Sequence, residues 1–321
     1  MTDNTAQPPD DTSPDDTAQP PGDTSPDDTA QPPGDTSPDN ERVEPPVIGP
    51  DDPLVLDDDR FHPGNVCLVT GAASGIGRAV ALVAAANGLT VVGADVDTDG
   101  LAETGQRVDE LDVPGVHHGV ETDLTDDAAV ESLVETAREH GRVTFLANVA
   151  GLQHVAPVSE FPMDEFDRLH QVMVRAPVLL SKLCVPLLRE NDHRGVIANM
   201  ASVHGHYVTA DKVAYNVSKF GVRGLTNSLA AESDGDFRAF SVSTGYVKTP
   251  LVTDQIPDTA RQRGISVDEV IEDVMLGQAR STEMMDPVEV ANQFLYGFSA
   301  YAAHLNGADV LHDDGMVNTY E

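Results

Sequence analysis

One short segment limits what this chain can fold into: Thr70-Gly71-Ala72-Ala73-Ser74-Gly75-Ile76-Gly77, set between the apolar run NVCLVT (65–70) and an Ala-rich helical stretch from Arg78 to Asn87. Glycines spaced TGxxxGxG between a strand and a helix let the backbone approach a pyrophosphate closely, while the helix N-terminus supplies the positive end of a dipole. A second apolar run, LTVVGAD (89–95), follows Gly88, and others recur at 143–150, 195–202 and 239–245. Segments of helical length and period separate them, among them DAAVESLVETAREHG and EFDRLHQVMVRAPVLLSKLCVPLLRE. Strands alternating with helices at this spacing predict βαβ units: an α/β, Rossmann-like, doubly wound parallel sheet with helices on both faces, in a single domain.

Two carboxylates extend the nucleotide reading. Asp95 closes the second strand, where it can accept hydrogen bonds from the ribose hydroxyls of an adenosine and would repel a 2′-phosphate; with no basic residue at Ser74, NAD is expected rather than NADP. Asp123 follows a third candidate strand and is expected near the adenine by analogy. Farther along, Tyr215-Asn216-Val217-Ser218-Lys219 puts a phenol and an ammonium four residues apart on a helix, hence on one face. The cation is expected to lower the phenol's pKa, making Tyr215 a general acid and base, with Ser202 upstream to hydrogen-bond the reacting oxygen.

Composition divides the chain. Residues 1–60 hold 13 of the 22 prolines and 17 acidic residues against Arg42 and Arg60, and three near-copies of TAQPPGDTSPDD fill 5–40. Those repeats contain no aliphatic residue larger than Ala, so residues 1–59 are expected to form a disordered acidic tail and linker that can lie along the domain, and residues 60–321 the catalytic domain. A formal charge of −35 disfavours nucleic acid or an anionic membrane as partner. It is similar to the composition of proteins from salt-loving cells. The opening Met1-Thr2-Asp3-Asn4 lacks the basic start of a signal peptide, and no run of about 18 uncharged apolar residues occurs, so a cytoplasmic location is expected. Cys67 and Cys184 read as buried, inert thiols. No metal is expected, because the His204-Gly205-His206 spacing lacks a third ligand. With four lysines in the whole chain, Lys212 and Lys219 stand out for falling within the catalytic stretch.

The motifs TGAASGIG, ANVAG (147–151), Ser202 and YNVSK occur in the order found in the short-chain dehydrogenase/reductase family, which the chain resembles over residues 64–317. Three further stretches, GLQHVAPVSEFP (151–162), MASVHG (200–205) and GYVKTPLVTDQI (245–256), resemble the D-3-hydroxybutyrate dehydrogenase branch of that family. The resemblance implies Ser202, Tyr215 and Lys219 as the catalytic set. It implies that Gly71, Ser74, Gly75, Ile76, Gly77, Asp95, Asp123, Asn148, Tyr215, Lys219 and Thr249 bind NAD. It also implies that Gln153, Ser202, His204, Lys212, Tyr246 and Gln255 hold a small hydroxy acid or keto acid, in a homotetramer.

Five positions depart from the family pattern. Met173 replaces the Asn of the proton relay, which implies an altered rate rather than inactivity. Val149 replaces the second Asn of NNAG, and Thr244 the usual Pro before Gly245. Tyr246 and Met316 stand where the nearest branch carries Trp. Interconversion of a 3-hydroxy acid and its 3-oxo acid by hydride transfer is the expected activity. Another alcohol, sugar or 3-oxoacyl substrate, and a non-catalytic NAD-binding regulator, stay open as alternatives.

Overall fold

NVCLVT is buried at every position, because a strand in the middle of a parallel sheet is covered on both faces. In the computed structural model, which describes residues 44–319 apart from Thr282 and the side chains of Asp258 and Gln262, this segment is β1 (Asn65–Thr70). The repeats at 5–40 lie outside the described residues. Strands and helices then alternate through α1 (Gly75–Ala86), β2 (Thr90–Asp95), α2 (Thr98–Glu110), β3 (Val116–Glu121), α3 (Asp127–His140) and β4 (Arg142–Asn148). Helix α4 (Met163–His170) passes through a π-turn (Gln171–Arg175) into α5 (Ala176–Arg189). Next come β5 (Gly195–Met200), α6 (Val213–Ala231) and β6 (Phe237–Thr244). Three short helices, α7 (Pro250–Thr253), α8 (Ile256–Arg263) and α9 (Val267–Glu269), precede α10 (Pro287–Phe298) and β7 (Asp309–His312).

All seven strands are parallel, in the order β3-β2-β1-β4-β5-β6-β7. The order reverses between β1 and β4, and a crevice opens at the carboxyl ends of strands where such a reversal occurs. Alternate residues of one strand supply opposite faces. Cys67 and Val69 pack on the α1 and α10 side with Phe145, Phe240, Phe294 and Phe298. Val66 and Leu68 pack on the other side with Leu133, Leu180, Cys184 and Leu188. The cysteines thus sit in separate cores, and burial pushes the Cys184 thiol up to about 12 and the Cys67 thiol higher still. Met163–Arg189 is long and apolar enough to cross a bilayer, yet it carries Arg175 and Lys182 and buries Leu180, Cys184 and Leu188 in the core.

Two features differ from the sequence reading. Strand β7 was not foreseen, being four half-buried residues that pair with β6 alone. The ordered body also begins ahead of Arg60, the boundary that composition suggests. Ile48, Leu54 and Leu56 pack on the α1/α10 core. The Leu54 amide donates to Asn292 Oδ1 (2.8 Å), the Leu56 amide donates to Asn87 Oδ1 (2.9 Å), and Asn87 Nδ2 donates to the Leu54 carbonyl (2.8 Å). Proline counts weigh against order, but three apolar side chains and two asparagines are enough to seat a strap on a helix pair already in place.

The strap ends in a buried ion pair. Asp58 accepts from Arg60 (Nη2 at 2.7 Å) and from the Ala300 amide (2.6 Å), with its side chain only 3 % exposed. Burial opposes its charge, but these donors prevail and hold the carboxyl at about 2 instead of 3.8. A carboxyl depressed on folding stabilises the fold above pH about 4, and that contribution fades as the pH falls toward 2. Asp58→Ala is expected to cost about 1–2 kcal/mol at neutral pH, less than the full equivalent of the shift because solvent screens part of the pair, as read by denaturant titration. The difference from the unaltered chain should narrow as the titration is repeated below pH 4.

Candidate active site

The crevice begins where β1 turns into α1, and each glycine there answers a separate contact. Gly71 has φ +73°, and a β-carbon on it would lie 2.9 Å from the Ala150 Cα. Gly75 has φ +51° and faces Thr249, whose Cγ2 would be 3.1 Å away. A β-carbon at Gly77 would meet the Gly71 carbonyl oxygen at 2.0 Å. Thr70 Oγ1 accepts from the Val149 and Ala150 amides (3.0 and 3.2 Å), tying the turn to the end of β4. Helix α1 has no acidic residue in its first turn, so the positive end of its dipole faces the crevice uncompensated.

This cradle lines a cavity of about 390 Å³, together with Ser74, Ile76, Asp95, Asp123, Thr249, Tyr215 and Lys219. Asp95 is positioned by the turn itself, since its Oδ2 accepts from the Ala73 amide (3.2 Å) and its Oδ1 from the Asp97 amide (3.1 Å). Asp123 accepts from the Thr125 amide and hydroxyl (2.8 and 2.7 Å), and these bonds hold its carboxyl below the usual range. Glycines that leave room beside a helix N-terminus, with carboxylates at the ends of the next strands, fit a dinucleotide. Arg78, which directly follows the last glycine, is a positioning residue that sequence reasoning missed. It donates to the Ala73 carbonyl, Thr104 Oγ1 and Glu103, clamping the turn onto α2.

Asn148 behaves differently from its expected role. Its side chain is buried and does not line the cavity; Nδ2 donates to Asn199 Oδ1 (2.8 Å), and Asn199 donates to Thr226 Oγ1 (2.9 Å). It holds β4, β5 and α6 together, and its neighbour Val149 reaches the cavity instead.

A second chamber, about 660 Å³, adjoins the first and shares Ser202, Tyr215 and Gly245 with it. Into its wall come Gln153, His204, Lys212, Tyr246 and Gln255, so the expected substrate residues converge from four separate parts of the chain. Gln153 Nε2 donates to Gln255 Oε1 (2.8 Å) across it. Lys212 caps the start of α6 and is pinned by a backbone bridge to Ala156. Burial alone lowers its pKa, with no neighbouring carboxylate contributing. Of the other lysines, Lys248 pairs with Asp286 (3.0 Å) and Lys219 Nζ donates to the Met200 carbonyl (2.8 Å). Met316 does not line the chamber; its sulfur packs behind Gly245, where a β-carbon would come within 2.7 Å. Arg263 and Thr209, for which the sequence gives no signal, also line it.

The expected lowering of the Tyr215 pKa by Lys219 does not appear. The ammonium lies 5.4 Å from the ring centroid, but it is turned to the Met200 carbonyl and is itself dehydrated, which pulls it down to about 8. Burial pushes the Tyr215 phenol up to about 12, against a hydrogen bond from Ser202 that works the other way. Desolvation disfavours the charged form of both groups and outweighs their proximity. As it stands, the phenol keeps its proton at neutral pH, the state needed to deliver one to a carbonyl oxygen. Met173 sits in the π-turn, 1 % exposed, in an apolar cluster with Phe161, Leu169 and Ala214 that packs against Tyr215.

A family model described as short chain dehydrogenase matches residues 65–260. The chain belongs to the short-chain dehydrogenase family. It is 34% identical over 254 residues to an uncharacterized oxidoreductase, YxjF, of Bacillus subtilis, covering 78% of this chain and 97% of that one. It is 32% identical over 255 residues to a D-beta-hydroxybutyrate dehydrogenase of Rhizobium meliloti (77% and 96% covered). A 3-oxoacyl-[acyl-carrier-protein] reductase of Thermotoga maritima is 30% identical over 256 residues (79% and 98%). A crystal structure of a short-chain type dehydrogenase/reductase from Mycobacterium marinum superposes with a TM-score of 0.71 at 26% identity, covering 81% of this chain and 99% of that one.

For this short-chain dehydrogenase, Tyr215→Phe tests the expected role of the phenol as acid and base, since it removes the hydroxyl and leaves the glycine cradle intact. It is expected to keep reduced dinucleotide binding, followed by fluorescence titration, while turnover falls by at least about a thousandfold. A near-normal rate in this variant would exclude Tyr215 as the acid and base.

Proposed function

We propose that this short-chain dehydrogenase interconverts a small 3-hydroxy acid of the hydroxybutyrate kind and its 3-oxo acid, with NAD as coenzyme. The observation that carries the reading is Lys212, a half-buried ammonium with no carboxylate partner among the described residues, in a chamber that opens onto Ser202 and Tyr215. A desolvated cation is costly unless an anion reaches it. Gln153 and Gln255, bonded to each other in the wall of the same chamber, add amides that can turn to a ligand, an arrangement suited to a carboxylate at one end of a small substrate. The similarity to a D-beta-hydroxybutyrate dehydrogenase supports the same substrate class.

With the carboxylate held by Lys212 and the two glutamines, the substrate's reacting oxygen lies toward Ser202 and Tyr215, which line both cavities. The bound dinucleotide supplies the hydride acceptor or donor. Ser202 orients the oxygen, and Tyr215 exchanges a proton with it as hydride moves at the carbinol carbon. Lys219 keeps a positive charge beside the phenol. Asp95 favours NAD, because a 2′-phosphate would meet its carboxylate. We extend the proposal to a homotetramer, which light scattering of the intact chain tests.

Assays at multimolar KCl against hydroxy acids and neutral secondary alcohols are expected to give turnover for the acids. Catalytic efficiency with NAD should exceed that with NADP on the order of a hundredfold, the cost of one unpaired charge clash; equal efficiencies would end the NAD assignment. Lys212→Ala should weaken hydroxy-acid binding by roughly 2–5 kcal/mol and leave a neutral alcohol nearly unaffected. Parallel losses on both substrates would show that the variant disturbs the Tyr215 helix instead.

A further inference from the structure

We propose that the second chamber takes a 3-hydroxy acid with a carboxylate at each end, the one nearer the hydroxyl held by Lys212 and the far one by Arg263. The inference rests on the hydroxy-acid reading above and enlarges its substrate from a monocarboxylic to a dicarboxylic acid.

Size is the first argument. At about 660 Å³ the chamber exceeds the dinucleotide cavity beside it, about 390 Å³, and is of the size that accepts a drug-sized ligand. An acid as small as hydroxybutyrate would leave most of it to water. The wall supplied by α8 shows where the extra space lies. Gln255, Thr259 and Arg263 all line the chamber and stand four residues apart, so they share one face of the helix. At a rise of about 1.5 Å per residue, the Arg263 Cα lies about 12 Å farther along that face than the Gln255 Cα. Gln255 is bonded to Gln153 (2.8 Å) at the end assigned to the first carboxylate. Arg263 therefore marks the other end, two turns of helix away.

Charge is the second argument. Arginines elsewhere on this acidic chain, such as Arg175 and Arg189, are held by acids. Among the described residues neither Lys212 nor Arg263 makes an ion pair, and both face the same chamber. Asp211 and Asp273 also line it, both exposed, yet the groups buried in the wall respond to the cations and not to those acids. His204 is lowered by burial and then by Lys212 and Lys219; Tyr246 is raised by burial, and Arg263 works against that rise. Arg263 is itself exposed, but its charge thus reaches the half-buried Tyr246. The chamber offers a cation at each end.

The remaining wall fits what would join two carboxylates. Val252, Val274 and Met275 line the chamber with apolar surface suited to a methylene chain. A monocarboxylic acid long enough to fill the same space would bring its methyl end to the guanidinium and leave that cation without a partner. A second carboxylate instead meets a planar fork of donors that it can accept from at two points. The hydroxyl stays near the Lys212 end, toward Ser202 and Tyr215, so the added carboxylate changes which substrate is chosen and not the chemistry performed on it.

The test compares kcat/KM for 3-hydroxyadipate and 3-hydroxyhexanoate, acids of equal length that end in a carboxylate and in a methyl group, at one KCl concentration. The unaltered chain is expected to favour the dicarboxylic acid about tenfold, the worth of one charge-assisted contact. Arg263→Gln should bring that ratio to about one, and Arg263→Lys should keep part of it. Unreactive adipate should compete for the chamber more strongly than hexanoate, and the difference should vanish in Arg263→Gln. A ratio near one in the unaltered chain, or a preference that survives Arg263→Gln, would overturn the inference while the hydroxy-acid reading stands. If neutral secondary alcohols are turned over and neither acid is, that reading fails instead. Competition against alcohol turnover then decides: inhibition by adipate that depends on Arg263 supports the chamber with two cations, and equal inhibition by adipate and hexanoate overturns it.

Discussion

The site depends on a place where backbone meets backbone with no β-carbon between. A β-carbon at Gly71 or Gly77 would collide with the Ala150 backbone or the Gly71 carbonyl, and one at Gly75 would press on the Thr249 side chain. These contacts fix the ends of β1 and β4 against each other and aim α1 at the crevice. The later elements inherit that frame. Parallel registry from β4 through β5 to β6 brings Asn148, Met200 and Thr244 to the same end of the sheet, and Ser202 follows two residues after β5. Steric permission at three positions thus determines where a hydroxyl some 130 residues later can stand.

Charge is used sparingly inside this frame. The chain carries −35 overall, so an anionic substrate is repelled at long range and must be attracted over the last few ångströms. Surface arginines are largely engaged by neighbouring acids, as in Arg175 with Asp127 and Arg189 with Asp236. Inside, dehydration is the largest influence on each of the titratable groups. It weakens the Lys219 charge, keeps His204 neutral and keeps Tyr215 protonated. The pocket is therefore organised largely by hydrogen bonds, with Lys212 and Arg263 as the cations in the wall of the second chamber. High salt would shorten the reach of the surface repulsion and leave those buried bonds nearly unchanged.

Much of this was legible in the amino-acid sequence because it depends on local patterns. A strand–glycine–helix junction and a Tyr/Lys pair four apart carry their geometry with them, and the chamber residues Gln153, Lys212 and Gln255 were found through motif resemblance. What was not legible depends on burial and on partners distant in the chain. The short β7 exists because β6 offers it an edge, and its Asp309 then collects Ser241, Ser243 and His206. The strap at 48–58 is held by Asn87 and Asn292, which no local pattern connects to it. Spacing could suggest that Lys219 stands near Tyr215, but only packing reveals which way the ammonium turns and that dehydration outweighs proximity.

The π-turn between α4 and α5 has a consequence for how this stretch can change. A π-turn amounts to one residue added to an α-helix, so everything beyond it is rotated by about 100° relative to an uninterrupted helix. Leu169 and Met173 precede that offset or lie within it and pack with Phe161 and Ala214, whereas Leu180, Cys184 and Leu188 follow it and pack with Leu68 and Leu133. Removing a single residue from Gln171–Arg175 would turn one of those two stripes to solvent, whichever residue was lost. Insertions and deletions are therefore barred here where many substitutions would pass, and the tally of residues in this helix is as much a part of the site as any side chain in it.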